Sequence, residues 1–200
     1  MDWDFADTCW EKEPRKYQYV AANYLKAMQS YLKETDLPKL EQLVVTKSWW
    51  DTVDILDRVV GSLVYEHPEL EEIILILFEN LFKPRQRPSA TSKQCFEQLV
   101  ASFLVCSLIF LSIKWSLSDN IWLRRVAIDH QLLRKEKTNT QLMEMILLHN
   151  LNQTEFFINK AIGWTLRDYS KTNPTWVTCF IEKNKERMAE LSIKEASKYL

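Results

Sequence analysis

The sequence predicts an all-α protein of stacked helix pairs, an α-solenoid or an α-bundle. Three observations predict it. The 200 residues include only 2 Gly and 6 Pro, too few for the tight turns that sheets require. Apolar residues recur with the 3.6-residue period of helices through most of the chain. Helix pairs also return at a weak spacing of roughly 40 residues, the length of one α-solenoid repeat.

The first expected helix covers about residues 14–32, with Tyr17, Val20, Tyr24 and Met28 on one face. A short helix at about 37–46 follows Asp36, a residue suited to N-capping. The next runs from Lys47 to Tyr65, and another from Pro68 to about Phe82. A basic loop, Lys83 to Ser92, leads to an apolar stretch, Leu99 to Ile113. Those 15 residues fall short of the roughly 18 or more that span a bilayer, so a buried helix is the better reading. Further helices are expected near 119–136, 139–150, 153–170, 173–188 and 192–199, with Pro174 tolerated in a first turn.

Composition limits the function classes. The net charge of −1 divides unevenly: residues 1–113 carry 12 Lys/Arg against 17 Asp/Glu, and residues 114–200 carry 14 against 10. A local basic face can therefore bind phosphate on a chain that is nearly neutral overall. Cys9, Cys95, Cys106 and Cys179 share no ligand spacing of the CxxC type, which argues against a zinc site. Met1 is followed by acidic, aromatic sequence instead of a secretory leader, so a reduced, intracellular protein is expected, cytoplasmic in a prokaryote or nuclear in a eukaryote.

Three helices carry unusual polar faces. In 47–65, Trp49, Val53, Leu56, Val60 and Leu63 share an apolar face; Trp50 lies off it, with Asp54 one turn above. The plainer alternative is a surface Trp packed on a neighbouring helix. Around Arg125, Trp122, Val126 and Leu133 form the stripe, and Arg125 sits at its edge four residues before Asp129. An i,i+4 ion pair covering the core is the plain alternative there. In the third helix, Lys160, Trp164, Arg167 and Lys171 fall within about 60° of one another, a basic stripe around an indole that suits a nucleic-acid backbone. A solvated charged face explains the same pattern. Arg125 and Trp164 are 39 residues apart, so a solenoid would place them in adjacent layers.

Five blocks carry a resemblance: WEKEPRKYQYVAANYL (10–25), LPKLEQLVVTKSWWDTVD (37–54), DNIWLRRVAI (119–128), TEFFINKAIGWTLRDYSKTNPTWV (154–177) and ELSIKEASKYL (190–200). They resemble the AlkD-like DNA alkylation repair family. The resemblance implies a superhelix of HEAT-like repeats with a concave DNA-binding face, and hydrolysis of the N-glycosidic bond of cationic N3- and N7-alkylated purines in duplex DNA without flipping the lesion into a pocket. It implies Asp54 as the catalytic carboxylate, Trp50 and Trp164 as the site indoles, and Arg125 as the site arginine, holding a phosphate. Lys47, Lys160, Arg167 and Lys171 are the expected DNA-binding residues. No metal, cofactor or membrane is called for, and a monomer suffices.

Two departures from the family pattern are expected. A repeat normally precedes the WEKE block, and here only a few residues do. Residues 77–113 read as an insertion, since ELEEIIL joins KWSLSDN naturally in the family pattern and Asp54 and Arg125 stand 71 residues apart. The alternative function is a catalytically weak or inactive HEAT-like module that binds DNA or protein. A small membrane-associated protein, resting on Leu99–Ile113, is the least favoured reading.

Overall fold

The computed structural model describes residues 1–65 and 114–200. The helix expected from Pro68, the loop 83–92, the apolar run 99–113 and the insertion 77–113 lie outside the described residues. Among the described residues all regular structure is helical: α1 (Trp3–Glu11), α2 (Lys16–Ala27), α3 (Leu37–Val45), α4 (Trp50–Tyr65), α5 (Ile121–Asp129), α6 (Thr140–His149), α7 (Phe156–Ser170), α8 (Pro174–Asn184) and α9 (Glu190–Ala196), with short 3-10 turns between some of them. None of these helices is long and apolar enough to cross a membrane.

Polar caps set several of the starts. Asp2 accepts from the Phe5 amide, Asn120 from Trp122 and Leu123, Asn139 from Leu142, and Asn173 from Trp176, with Pro174 in the first turn as expected. Asp36 does not cap α3. Its carboxylate accepts instead from the Lys33 amide and from Trp3 Nε1 at 2.9 Å, which fastens α1 to the start of α3.

The helices form two layers. α2, α4, α5, α7 and α9 pack side by side in chain order, with α1 against α2, α3 against α4 and α5, α6 against α5, and α8 against α7. This is the arrangement of an α–α superhelix. The core runs between the layers through Leu25, Leu40, Leu56, Val126, Ile146, Ile158 and Leu166, all fully buried. Each such side chain contributes about 1.5–3 kcal/mol of burial.

The packing corrects several sequence expectations. α2 buries Gln18, Ala21, Ala22 and Leu25, while Val20 is exposed. Small residues let neighbouring backbones approach, and the larger aromatics flank the contact: Tyr24 accepts from the Asp2 amide and packs on Phe5. α1 has no counterpart among the expected elements. α5 ends at Asp129 because Leu133 and Lys135 take left-handed backbone, so Leu133 leaves the apolar stripe and is exposed. Trp49 precedes α4 and is half-exposed, yet its ring packs on Trp122 and Phe157.

α4 and α5 approach closely at Gly61. A Cβ there would lie 2.2 Å from the carbonyl oxygen of His130, a backbone atom that cannot step aside. Gly61→Ala is therefore expected to destabilise the fold by about 2 kcal/mol or more, read as a lower urea midpoint. A midpoint equal to wild type would mean that α4 and α5 do not meet this tightly.

Candidate functional site

The charged centre lies where α4, α5 and α7 meet. Asp54 projects from the second turn of α4, and Arg125 reaches it from the middle of α5. Arg125 Nε donates to Asp54 Oδ1 at 2.7 Å and a terminal nitrogen donates to Oδ2 at 3.0 Å, a bidentate pair. The other terminal nitrogen donates to the Phe157 carbonyl at 2.8 Å. Asp129, the i,i+4 neighbour, is farther off at 3.7 Å. Burial works against the guanidinium charge, but Asp129 and Asp54 together hold its pKa above the ordinary value. Arg125 is 1% exposed, whereas Asp54 keeps one edge open. The phosphate-holding role expected for Arg125 does not match this geometry, because its donors face groups of the protein itself.

Trp164, on α7, covers the guanidinium with its ring centroid 5.4 Å away. Arg167 and Lys160 flank the same ring at 5.7 and 5.9 Å. Trp50 begins α4 one turn before Asp54 and is 45% exposed. The fold thus brings Asp54, Arg125 and Trp164 together, with Trp50 a helical turn away.

The expected basic residues divide. Lys160 and Arg167 border Trp164, but each pairs with Glu195 of α9, at 2.7 and 2.8 Å, and Lys198 joins the same carboxylate at 2.9 Å. Lys171 lies 3.8 Å from Asp168 and over the Tyr199 ring. Lys47 stands apart: it donates to the carbonyls of Glu11 and Lys12, and its own carbonyl accepts from Arg15. It ties the start of α4 to the α1–α2 turn, with Arg15 pairing to Asp51 and donating to Thr52.

A groove of about 670 Å³ opens beside Asp54. It runs along α4 to Tyr65 and is lined by Lys26, Arg58, Arg134 and Lys137, with Arg134 and Lys137 over the Tyr65 ring. Four cations face Asp54 here, one of them, Arg58, also paired with the buried Asp57 at 3.0 Å, and the groove stays electropositive. Behind it lie two buried acids, Asp57 and Asp129, whose oxygens and those of Asp54 lie within 4.8 Å of one another. The Arg125 guanidinium supplies positive charge to this cluster.

A family model described as DNA alkylation repair enzyme matches residues 1–87 and 89–200. The chain belongs to this DNA alkylation repair family. A solved structure described as "Predicted DNA alkylation repair enzyme from Enterococcus faecalis" is similar, with a TM-score of 0.71 and 29% identity over 98% of this chain and 74% of that one. None of the curated proteins compared with it matches.

For this member of the family, sequence reasoning missed Asp57, Glu195 and the groove residues. The groove was readable in part: Trp50, Asp54, Arg58, Gly61 and Tyr65 follow helical spacing on one face of α4. Glu195 carried no local signal, since its partners Lys160 and Arg167 are 35 and 28 residues distant.

Hydrogen bonds from Lys160 and Lys198 draw the Glu195 pKa down to about 2. A depressed acid adds stability above its unfolded pKa of about 4.3 and loses it as pH falls toward the folded value. Glu195→Gln is thus expected to lower the urea midpoint at pH 7, with the difference from wild type shrinking between about pH 4 and pH 2. A difference that is constant with pH would show that the charge on Glu195 does not matter.

Proposed function

We propose that this DNA alkylation repair family member is a DNA glycosylase that hydrolyses the N-glycosidic bond of cationic N3- and N7-alkylated purines in duplex DNA. The observation that carries the proposal is Asp54: a carboxylate with an open edge, held rigidly by a buried arginine, beside two indoles and an electropositive groove.

An alkylated purine already carries positive charge and leaves readily. When the C1′–N9 bond breaks, its electron pair goes to the purine, which departs neutral, and positive charge remains on the sugar. Asp54 stabilises that charge and orients a water. The water oxygen bonds to C1′, and its proton passes to Asp54 or to solvent. The leaving group needs no general acid, so the second carboxylate of ordinary glycosidases is unnecessary, and so is a metal. The π faces of Trp50 and Trp164 favour a cationic sugar and base. Arg125 acts by fixing Asp54. The groove cations Lys26, Arg58 and Lys137 suit the phosphates of the strand beside the lesion, with Lys160 and Arg167 on the other flank.

The competing reading is a DNA-binding module without catalysis, and the bidentate Arg125 favours it by countering the Asp54 charge. Purine release from duplex DNA carrying N7-methylguanine separates the two. Asp54→Asn is expected to reduce release by on the order of 10²–10³-fold with duplex binding retained. Trp164→Ala is expected to cost about tenfold. Wild-type protein that binds the duplex but releases no purine would leave only the binding module.

A further inference from the structure

Asp129 is the most completely enclosed charged group in the centre, with 0% exposure, and the reaction proposed above gives it no task. Its Oδ1 lies 3.0 Å from Thr165 Oγ1 on α7, and its Oδ2 has no hydrogen-bond partner among the described residues but lies 3.7 Å from Arg125. It therefore stands beside Asp54, near the same terminal nitrogen of the guanidinium. Thr165 Oγ1 is also 3.1 Å from the carbonyl of Ile128. A hydroxyl carries one proton and can donate to only one of these acceptors at a time. When Asp129 is ionised, Thr165 donates to it. When Asp129 is protonated, it can donate to Thr165, whose own proton then turns to Ile128. The structure thus accommodates both states without moving a heavy atom.

We propose that Asp129 is a positioning residue whose ionisation divides the positive charge of Arg125 and so frees the field of Asp54 toward a cationic sugar. This rests on the glycosylase reading. With Asp129 protonated, Asp54 and Arg125 form a neutral pair and present a weak field at the open edge. With Asp129 ionised, the same guanidinium is shared by two carboxylates, and the centre carries one more negative charge toward the site.

The surrounding groups fit this role. Facing Asp129 are Asp54, Asp57 and Arg58 from α4, Arg125 from its own helix, and the neutral Thr165 from α7. Burial raises Asp129 to about 6, against the pull of Arg125. Burial, with Asp129 beside it, also raises Asp57, and the Arg58 guanidinium 3.0 Å away works against that rise. His130 is pushed down to about 3 by burial and does not titrate in the same window.

The test is purine release from N7-methylguanine duplex between pH 5 and pH 8, comparing wild type, Asp129→Asn and Asp57→Asn, with urea unfolding of each at both pH limits. Asn mimics the protonated acid: its amide donates to Thr165, which donates to Ile128. Wild-type release is expected to rise through about pH 6 by on the order of tenfold, the scale of one added charge near the centre. Asp129→Asn should stay at the low-pH rate throughout, and Asp57→Asn should keep the rise. Stability should move the other way. An acid with a raised folded pKa destabilises the fold as pH rises through the range between its unfolded and folded values. At pH 8, Asp129→Asn is therefore expected to be more stable than wild type and less active, a split that a merely structural role does not produce. A flat wild-type profile, or an Asp129→Asn variant that keeps the rise, overturns the inference and leaves the glycosylase standing. Wild type that releases no purine at any pH removes the glycosylase reading, and this inference falls with it.

Discussion

The bidentate contact between Arg125 and Asp54 holds the rest of the site in place. It joins residues 71 apart in the chain and locks α5 against α4. Removing one partner of such a pair costs on the order of 3–5 kcal/mol, because the other charge is stranded in a poorly hydrated place. The surrounding contacts follow from that demand. Phe157 offers a carbonyl, Trp164 lays its ring over the guanidinium, and Asp129 adds a second carboxylate beside Asp54. The layered helices are the means by which these groups, drawn from three helices, reach one point.

The same contact separates two tasks that an arginine can perform in a protein that handles DNA. A guanidinium reaching into solvent binds phosphate. A buried one fixes a carboxylate. Arg125 does the second, and under the proposed function phosphate binding falls to the more exposed cations of the groove and of the Trp164 flank. The carboxylate then does not need to move when substrate arrives, and preorganisation of this kind is the largest contribution most enzymes make to rate.

Much of the architecture was legible in the sequence, since scarce glycine and helical periodicity both reflect local geometry. α4, α6, α7 and α8 lie close to where the apolar spacing put them. α1 was missed because nine residues rich in acid and aromatics show no clean stripe, and its buried Trp10 finds its partner, Thr46, 36 residues along the chain. At the site, the spacing from Arg125 to Asp129 suggested an i,i+4 pair, and both residues are indeed adjacent. The shorter, better-aligned partner is Asp54 on another helix, and no local pattern records a contact across the row. Asp57 was hidden for the same reason: an acid at a core-facing position reads as an error of periodicity until a neighbouring helix supplies its surroundings.

The three cations gathered on Glu195 alter how this flank meets a polyanion. A free lysine in solution holds a mobile anion only loosely, and the release of cations condensed on DNA is what makes such binding fade steeply with salt. Lys160, Arg167 and Lys198 instead carry a permanent counterion built into α9. Part of their charge is neutralised before any strand arrives, so they displace fewer condensed ions than their number implies. On the proposed reading the flank thus grips DNA by shape and fixed placement around an indole, and that hold weakens less with rising ionic strength than that of an equal number of unpaired lysines.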